Sequence, residues 1–433
     1  MSQVKSTPGL QPRLEAAFAL NTTLRGAPFA PIAAERLPDP RDRALANRLA
    51  TTALRRHGQI TAVLETLLKK GVPARAGILE AVLRIGVAQL LYLDAIPAHS
   101  AIHLAVESAR ADKRAGRFDK LVNGALRTLQ RDAETFGALP DALLLPGWLK
   151  ARWQKAYGAA ALEAFVHALL EGAPLDLTLK SAGPALLEAL GAAPVLGTTI
   201  RVETRDAAVA DLPGYAEGQW WVQDAAAAIP ARLIDARPGM RVLDLCAAPG
   251  GKTAQLAAAG AAVTALDIDA ARTDRLAQNL ARLDLSAEIV VADALTYAPG
   301  ETFDAILLDA PCSATGTFRR HPDVLLSRDQ QGVNGRVALQ RDLIAHALTL
   351  LAPGGTLIYC VCSLEPEEGE DQAAWALKTH SGLTLAPVAP AELDGWASPI
   401  RPDGTVRTHP GLAVPGPAGG TLDGFFIARF TAA

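Results

Sequence analysis

Asp244-Leu245-Cys246-Ala247-Ala248-Pro249-Gly250-Gly251-Lys252-Thr253 decides the fold. The run Arg241–Leu245 reads as a strand, the small residues after it as a tight loop, and the stretch from about Lys252 as a helix. Small residues feeding a helix N-terminus suit a ligand held against backbone N–H groups. The tail Gly251-Lys252-Thr253 matches a phosphate-binding loop. That motif needs glycine at position 246, where Cys246 stands, and Pro249 removes a donor from the cradle, so the sequence disfavours a nucleotide-phosphate site.

Downstream, Ala262–Leu266, Glu288–Val291, Ala305–Leu308 and Thr356–Val361 are further short β runs. They alternate with helical stretches from about Ala270, Arg336 and Glu367. This alternation predicts a parallel sheet with helices on both faces. The terminal run Gly424–Phe430 reads as an edge strand. Four strands end in Asp244, Asp267, Asp293 and Asp309. Ligands of doubly wound folds bind across such strand ends, and an acidic residue after the second strand accepts hydrogen bonds from ribose hydroxyls. Any one of the four could be a helix cap. Four in succession beside Gly250-Gly251 point to a nucleoside-bearing cofactor.

Upstream the pattern is different. Apolar residues recur at spacings of three and four in Leu14–Leu24, Ala44–Leu54, Val63–Leu68, Ile78–Leu91, Ile102–Ala109 and Leu121–Leu129, the mark of a compact all-α domain. Pro38, Pro73 and Pro97 stand where helices would begin, and Asp39 stands at a cap position. Two prolines and a glycine in 138–150 mark a boundary. Helices at Trp148–Tyr157, Ala160–Leu170 and near Pro184–Leu190, with strands at Leu175–Leu179 and Thr198–Val202, then suggest a small α+β module. The expected domains are 1–140, 141–215 and 216–433.

The 433 residues carry 42 Lys and Arg against 45 Asp and Glu, a net charge of −3 that argues mildly against nucleic acid. The total hides an asymmetry. Residues 1–145 hold 20 basic against 13 acidic side chains, and residues 216–433 hold 16 against 25. A basic end on an acidic body suggests a domain for polyanions. Half the residues are apolar, as in a globular chain. No run approaches the roughly 18 apolar residues of a membrane span. The first residues lack the apolar segment of a secretion signal, and four cysteines make no disulfide framework. A cytoplasmic protein is the expectation.

All four cysteines, Cys246, Cys312, Cys360 and Cys362, fall at or near strand ends. Cys360-Val361-Cys362 lacks zinc spacing and no histidine stands at ligand distance, so no metal is expected. Cys360 alternates into the sheet as a buried, inert thiol. Cys312 and Cys362 sit on loops, where a thiolate could act as a nucleophile.

Four motifs carry a resemblance: 244–253; Leu266-Asp267-Ile268-Asp269 with Arg272; Asp309-Ala310-Pro311-Cys312-Ser313 running to Arg319-Arg320-His321-Pro322-Asp323; and Cys362-Ser363-Leu364 with Pro366-Glu367-Glu368. With the terminal Asp423-Gly424-Phe425-Phe426, they resemble the Sun family of RNA cytosine-5 methyltransferases. The first 135 residues resemble the NusB-like RNA-binding domain, most clearly at Pro40–Ala46 and Asn123–Arg127. The resemblance implies a Rossmann-like domain that uses S-adenosylmethionine to methylate C5 of a cytosine. Its substrate would be small-subunit (16S) rRNA, free or in an assembly intermediate, and the chain would act as a monomer. It assigns the attacking thiolate to Cys362, product release to Cys312, and Asp309 to a place near cytosine N3 and the cofactor methionine. Cys246, Ala247, Ala248, Pro249, Gly250, Gly251 and Lys252 would line the cofactor, with Asp267 at its ribose, Asp293 at its adenine and Arg272 close by. Arg319, Arg320 and His321 would hold RNA phosphates. Val361 stands where the family usually has threonine, which removes a hydroxyl beside the nucleophile. DNA cytosine-5 methyltransferases would use the Pro-Cys cysteine, here Cys312, and the additional Cys362 favours RNA. A non-enzymatic assembly factor would have lost the thiol or the glycine loop, and this chain keeps both.

Overall fold

A computed structural model describes residues 7–181, 183–203, 208–414 and 416–433. The chain divides into two units, one reaching to Arg152 and including His321–Ser327, the other formed by Trp153–Arg320 and Arg328–Ala433. Among the described residues, no helix is long and apolar enough to cross a membrane.

The first unit is helical, with helices Leu10–Leu24, Pro40–Arg55, His57–Leu67, Leu79–Tyr92, Ala98–Ala111, Asp119–Arg131 and Ala133–Gly137. Leu20, Leu49, Leu83 and Leu126 are fully buried in its core. Gly86 permits close packing there, because a Cβ at this position would lie 2.7 Å from Leu126 Cδ1. The second helix starts at Pro40 rather than Pro38: the Asp39 carboxylate accepts from Arg41 N–H at 2.8 Å, and proline takes the first helical position, where no N–H is needed. Pro97 does precede a helix, but the helix expected near Pro73 starts only at Leu79. Within the segment 321–327, Asp323 accepts from Phe29 N–H at 3.1 Å and Leu326 packs on the helical core.

Helix Gly147–Glu171 leads into the second unit and bends at Gly158, whose φ of 83° and ψ of 173° interrupt it between the two expected helices. An antiparallel sheet follows, built from β1 (Leu175–Leu179), β2 (Ala192–Leu196), β3 (Thr199–Val202) and β4 (Trp220–Val222) in the order β2-β3-β1-β4. β2 contains Pro194, which conceals it in the sequence; it is an edge strand, where a missing N–H is tolerated.

The larger sheet holds β5 (Arg241–Leu245), β6 (Ala262–Asp267), β7 (Glu288–Val291), β8 (Phe303–Asp309), β9 (Leu351–Val361), β10 (Leu383–Leu385), β11 (Val406–Thr408) and β12 (Phe425–Ala432). Its order is β10-β12-β9-β8-β5-β6-β7, with β11 also paired to β12. β9, β8, β5, β6 and β7 run parallel, whereas β12 is antiparallel to β9. The terminal strand is therefore not an edge. Phe425, Phe426, Ile427, Ala428 and Phe430 are all buried, and an unbroken apolar run belongs to a strand covered on both faces.

Alternation along the central strands builds two core layers. Ala305, Leu307, Ile358 and Cys360 share one with helices Ala225–Arg232 and Gly251–Ala258. Ile306, Leu308, Leu357 and Tyr359 share the other with helices Gln330–Leu350 and Glu370–Thr379. Each fully buried leucine or isoleucine contributes roughly 1.5–3 kcal/mol. A one-residue slip would send each set into the opposite layer, whose shape it does not fit, so this packing fixes which residues stand at the strand ends.

Candidate functional site

β5 delivers Asp244 to the end of the sheet. Cys246 turns the chain with a left-handed φ of 62°, and Gly250 does so again at φ 99° before helix Gly251–Ala258. The loop is held from outside. Ala248 N–H donates to Asp267 Oδ2 at 3.1 Å, Asp269 N–H donates to Asp267 Oδ1 at 3.1 Å, and Arg272 hydrogen-bonds the Ala248 carbonyl while lying 3.4 Å from Asp267. Asp267 and Arg272 thus clamp the loop. Asp293 is exposed at the end of β7 and accepts from Leu295 N–H at 2.9 Å. Between them two apolar side chains are conspicuously bare, Ile268 at 68% exposure and Val291 at 54%.

A cavity of about 370 Å³ lies over the loop. Ala247–Lys252, Asp244, Asp309, Thr317, Arg320, Cys362 and Phe425 line it, with Tyr215, Trp221, Gln223 and Arg282 among its other walls. Cys246, Asp267, Arg272 and Asp293 are not part of this lining. Burial pushes the Cys246 thiol up to about 12. Asp244 accepts from Thr253 Oγ1 at 2.6 Å through one oxygen, while its Oδ1 is buried without a partner. Burial pushes this carboxyl up to about 7.

Lys252 Nζ donates to Asp309 Oδ2 at 2.7 Å and lies 5.4 Å from the centre of the Phe425 ring. Burial alone would lower the lysine pKa, but Asp309, with Cys360 and Asp244, together more than offset that and the ammonium is held above its ordinary value. Cys362 and Cys312 meet with their sulfurs 3.5 Å apart. The contact with Cys362, then burial, raises the Cys312 thiol well above the usual cysteine value, so Cys312 keeps its proton. Cys360 is fully buried and 3.5 Å from Asp309 Oδ1; burial raises its thiol as well, in keeping with an inert role.

The expectation that Arg319, Arg320 and His321 hold RNA phosphates fails at Arg319. Arg319 is fully buried and donates to Asp224 Oδ2 at 2.6 Å and Asp423 Oδ1 at 2.8 Å. A guanidinium enclosed by two carboxylates does not present itself to a phosphate. Arg320 reaches the cavity wall, with its Nε donating to Asp423 Oδ2 at 2.7 Å. His321 is exposed and belongs to the segment 321–327 of the first unit.

The chain is similar to the ribosomal RNA small subunit methyltransferase B of Erwinia tasmaniensis, 36% identical over 417 residues that span 92% of each chain. It is 38% identical over 367 residues to the protein of the same name from Xanthomonas campestris pv. campestris, covering 81% of this chain and 83% of that one. The family model for "16S rRNA methyltransferase RsmB/F" matches residues 231–431. The chain belongs to the RsmB/F family. RsmB/F methyltransferases use S-adenosylmethionine. The NusB family model matches residues 13–131, over the helical unit. The crystal structure of PH0851 shares the fold, with a TM-score of 0.76 and 23% identity over 98% of this chain and 99% of that one.

In this RsmB/F chain the sequence left several functional side chains unmarked. Asp224 lies before the recognised motifs, yet it accepts from both Arg319 and Asp423 N–H. Glu368 lies inside the 362–368 motif, but no spacing rule marks it as fully buried. Phe425 was visible only as part of a terminal motif.

Proposed function

We propose that this methyltransferase methylates C5 of a cytosine in 16S rRNA through a transient bond between Cys362 Sγ and cytosine C6. One observation carries the reading: Cys362, paired sulfur to sulfur with Cys312, lines the same cavity as the glycine loop and the Lys252–Asp309 pair. C5 of cytosine is a weak nucleophile. Addition of the Cys362 thiolate at C6 makes C5 electron-rich, and negative charge develops toward N3 and O2. The Lys252 cation and Asp309 would orient that edge of the base, and a fixed cation in a confined site stabilises such charge strongly. After methylation the C5 proton must pass to a base, and its bonding electrons expel Cys362 as a thiolate. A retained Cys312 proton 3.5 Å away can hydrogen-bond the departing sulfur, which is the role we give Cys312 in release. Val361 keeps a β-branched shape before the nucleophile without a hydroxyl.

The cofactor residues fit a nucleoside with a cationic tail. Asp244, whose Oδ1 is an unpartnered acceptor, lines the cavity, and Ile268 and Val291 are exposed apolar side chains at the ends of β6 and β7. Ala247–Lys252 and Asp244 would hold the methionine end, Asp267 the ribose and Asp293 the adenine, with Cys246 and Arg272 shaping the loop. When bound, S-adenosylmethionine supplies an electrophilic methyl group. The target base must leave its stack to reach a buried thiol. Phosphate contacts from exposed basic side chains of the helical unit, such as Lys113, Arg114, Arg117 and Lys120, would position the RNA.

The test is methyl incorporation into unmodified 16S rRNA by Cys362→Ala and Cys312→Ala. Loss of transfer in Cys362→Ala supports the reading. Loss only in Cys312→Ala would transfer the nucleophile to Cys312.

A further inference from the structure

The two cysteines come from different strands, Cys312 from the loop after β8 and Cys362 from the end of β9. Something must hold the loops in register. Glu368 is fully buried and does this through one carboxylate. Its Oε1 accepts from Ser313 N–H at 2.8 Å and from Gln340 Nε2 at 3.2 Å. Its Oε2 accepts from Ser313 Oγ at 2.5 Å and Ser363 Oγ at 2.6 Å. Ser313 follows Cys312 in the chain, and Ser363 follows Cys362. Glu368 is itself anchored, since Tyr359 Oη donates to its carbonyl at 2.6 Å. Gln340 also binds the Pro311 carbonyl at 2.9 Å, on the other side of Cys312.

We infer that Glu368 is a positioning residue that sets the distance between the Cys312 and Cys362 sulfurs by serving as the common acceptor of both cysteine loops. It touches neither sulfur. Without the carboxylate, the buried Ser313 N–H loses its acceptor and the two hydroxyls keep only each other, 2.9 Å apart, and Thr315 to join the loops, which then relax apart or admit water. Glutamine can replace part of the network: its oxygen accepts from Ser313 N–H and Gln340, and its amide donates to the two hydroxyls, which act as acceptors. The consequence for turnover rests on the covalent mechanism above; the geometric claim does not.

The experiment measures the spacing directly. A short bis-electrophilic reagent bridges Cys312 and Cys362 in the full-length protein without RNA, and mass spectrometry maps the bridge. Glu368→Ala is expected to slow bridging at least 10-fold, and Glu368→Asp, which keeps the charge but shortens the reach, at least 3-fold. Glu368→Gln should regain most of the Ala loss. Methyl transfer should show the same order through kcat, with Glu368→Ala down about 100-fold, the size expected for a displacement near 1 Å, and KM for 16S rRNA within about 3-fold. If Glu368→Ala does not fold, Glu368→Asp carries the same test. Wild-type bridging rates in a folded Ala or Asp variant would overturn the inference. Slowed bridging with no RNA adduct in Cys312→Ala protein would support the positioning role while refuting the cytosine-adduct mechanism.

Discussion

Gly250 and Gly251 stand side by side, yet replacing each with alanine should have opposite kinds of effect. Gly250 has φ 99°, and a Cβ there would lie 2.8 Å from Leu276 Cγ, itself fully buried. The left-handed backbone costs about 1–3 kcal/mol for a residue with a side chain, and overpacking a closed core costs a similar amount. Gly250→Ala should therefore lose about 2–6 kcal/mol of stability. Gly251 lies at the helix start, and a Cβ there would meet Gln223 no closer than 3.5 Å, an ordinary contact. Its substitution should leave stability unchanged or raise it by up to about 1 kcal/mol through helix propensity. Gly251 lines the cavity, however, so the added methyl group should weaken S-adenosylmethionine binding at least 10-fold. Urea denaturation measures the first effect and calorimetric titration the second. A Gly250→Ala protein as stable as the wild type, or a Gly251→Ala protein with unchanged cofactor affinity, would refute this reading of the loop.

Three further outcomes are expected. Arg319→Ala should lose about 3–5 kcal/mol, because it leaves Asp224 and Asp423 buried beside each other without their shared cation; a stable variant with weakened RNA binding would instead restore Arg319 as a phosphate contact. Asp244 is raised in the folded state, so the native protein holds that proton more tightly than the unfolded chain. Stability should fall as pH rises from about 4 to about 7, by about 1.4 kcal/mol per pH unit, and Asp244→Asn should flatten that slope in denaturation curves. Replacing Lys113, Arg114, Arg117 and Lys120 together with alanine should reduce the slope of log affinity against log salt by up to about 3 for single-stranded RNA; an unchanged slope would remove this surface from the RNA site.

Much of the catalytic fold was legible because strand ends, small-residue loops and helix starts are local signals. The series Asp244, Asp267, Asp293 and Asp309 marked the end of the sheet where the cavity lies. The errors arose where burial overrode local appearance. Phe425–Ala432 looked like an edge because it comes last, but the unbroken apolar run Phe425–Ala428 required cover on both faces. Pro194 concealed an edge strand, and Trp220–Val222 was too short to read as the fourth strand of the small sheet. Arg319 resembled a surface cation because its partners, Asp224 and Asp423, lie 95 and 104 residues away in the chain. Glu368 was hidden in the same way: an acidic residue among acidic neighbours reads as solvated, and only the fold brings Ser313 and Ser363 to it. Asp267 and Asp293 were legible as strand-end carboxylates, but the hold of Asp267 on the Ala248 N–H depends on a turn geometry that spacing does not reveal.

The decisive measurement is the site of the covalent bond to RNA. Cys312→Ala protein incubated with unmodified 16S rRNA and S-adenosylmethionine should accumulate a complex that survives denaturation, and peptide mapping should find the nucleotide on Cys362. A nucleotide mapped to any other residue, or turnover by Cys362→Ala at the wild-type rate, would contradict the assignment of Cys362 as nucleophile.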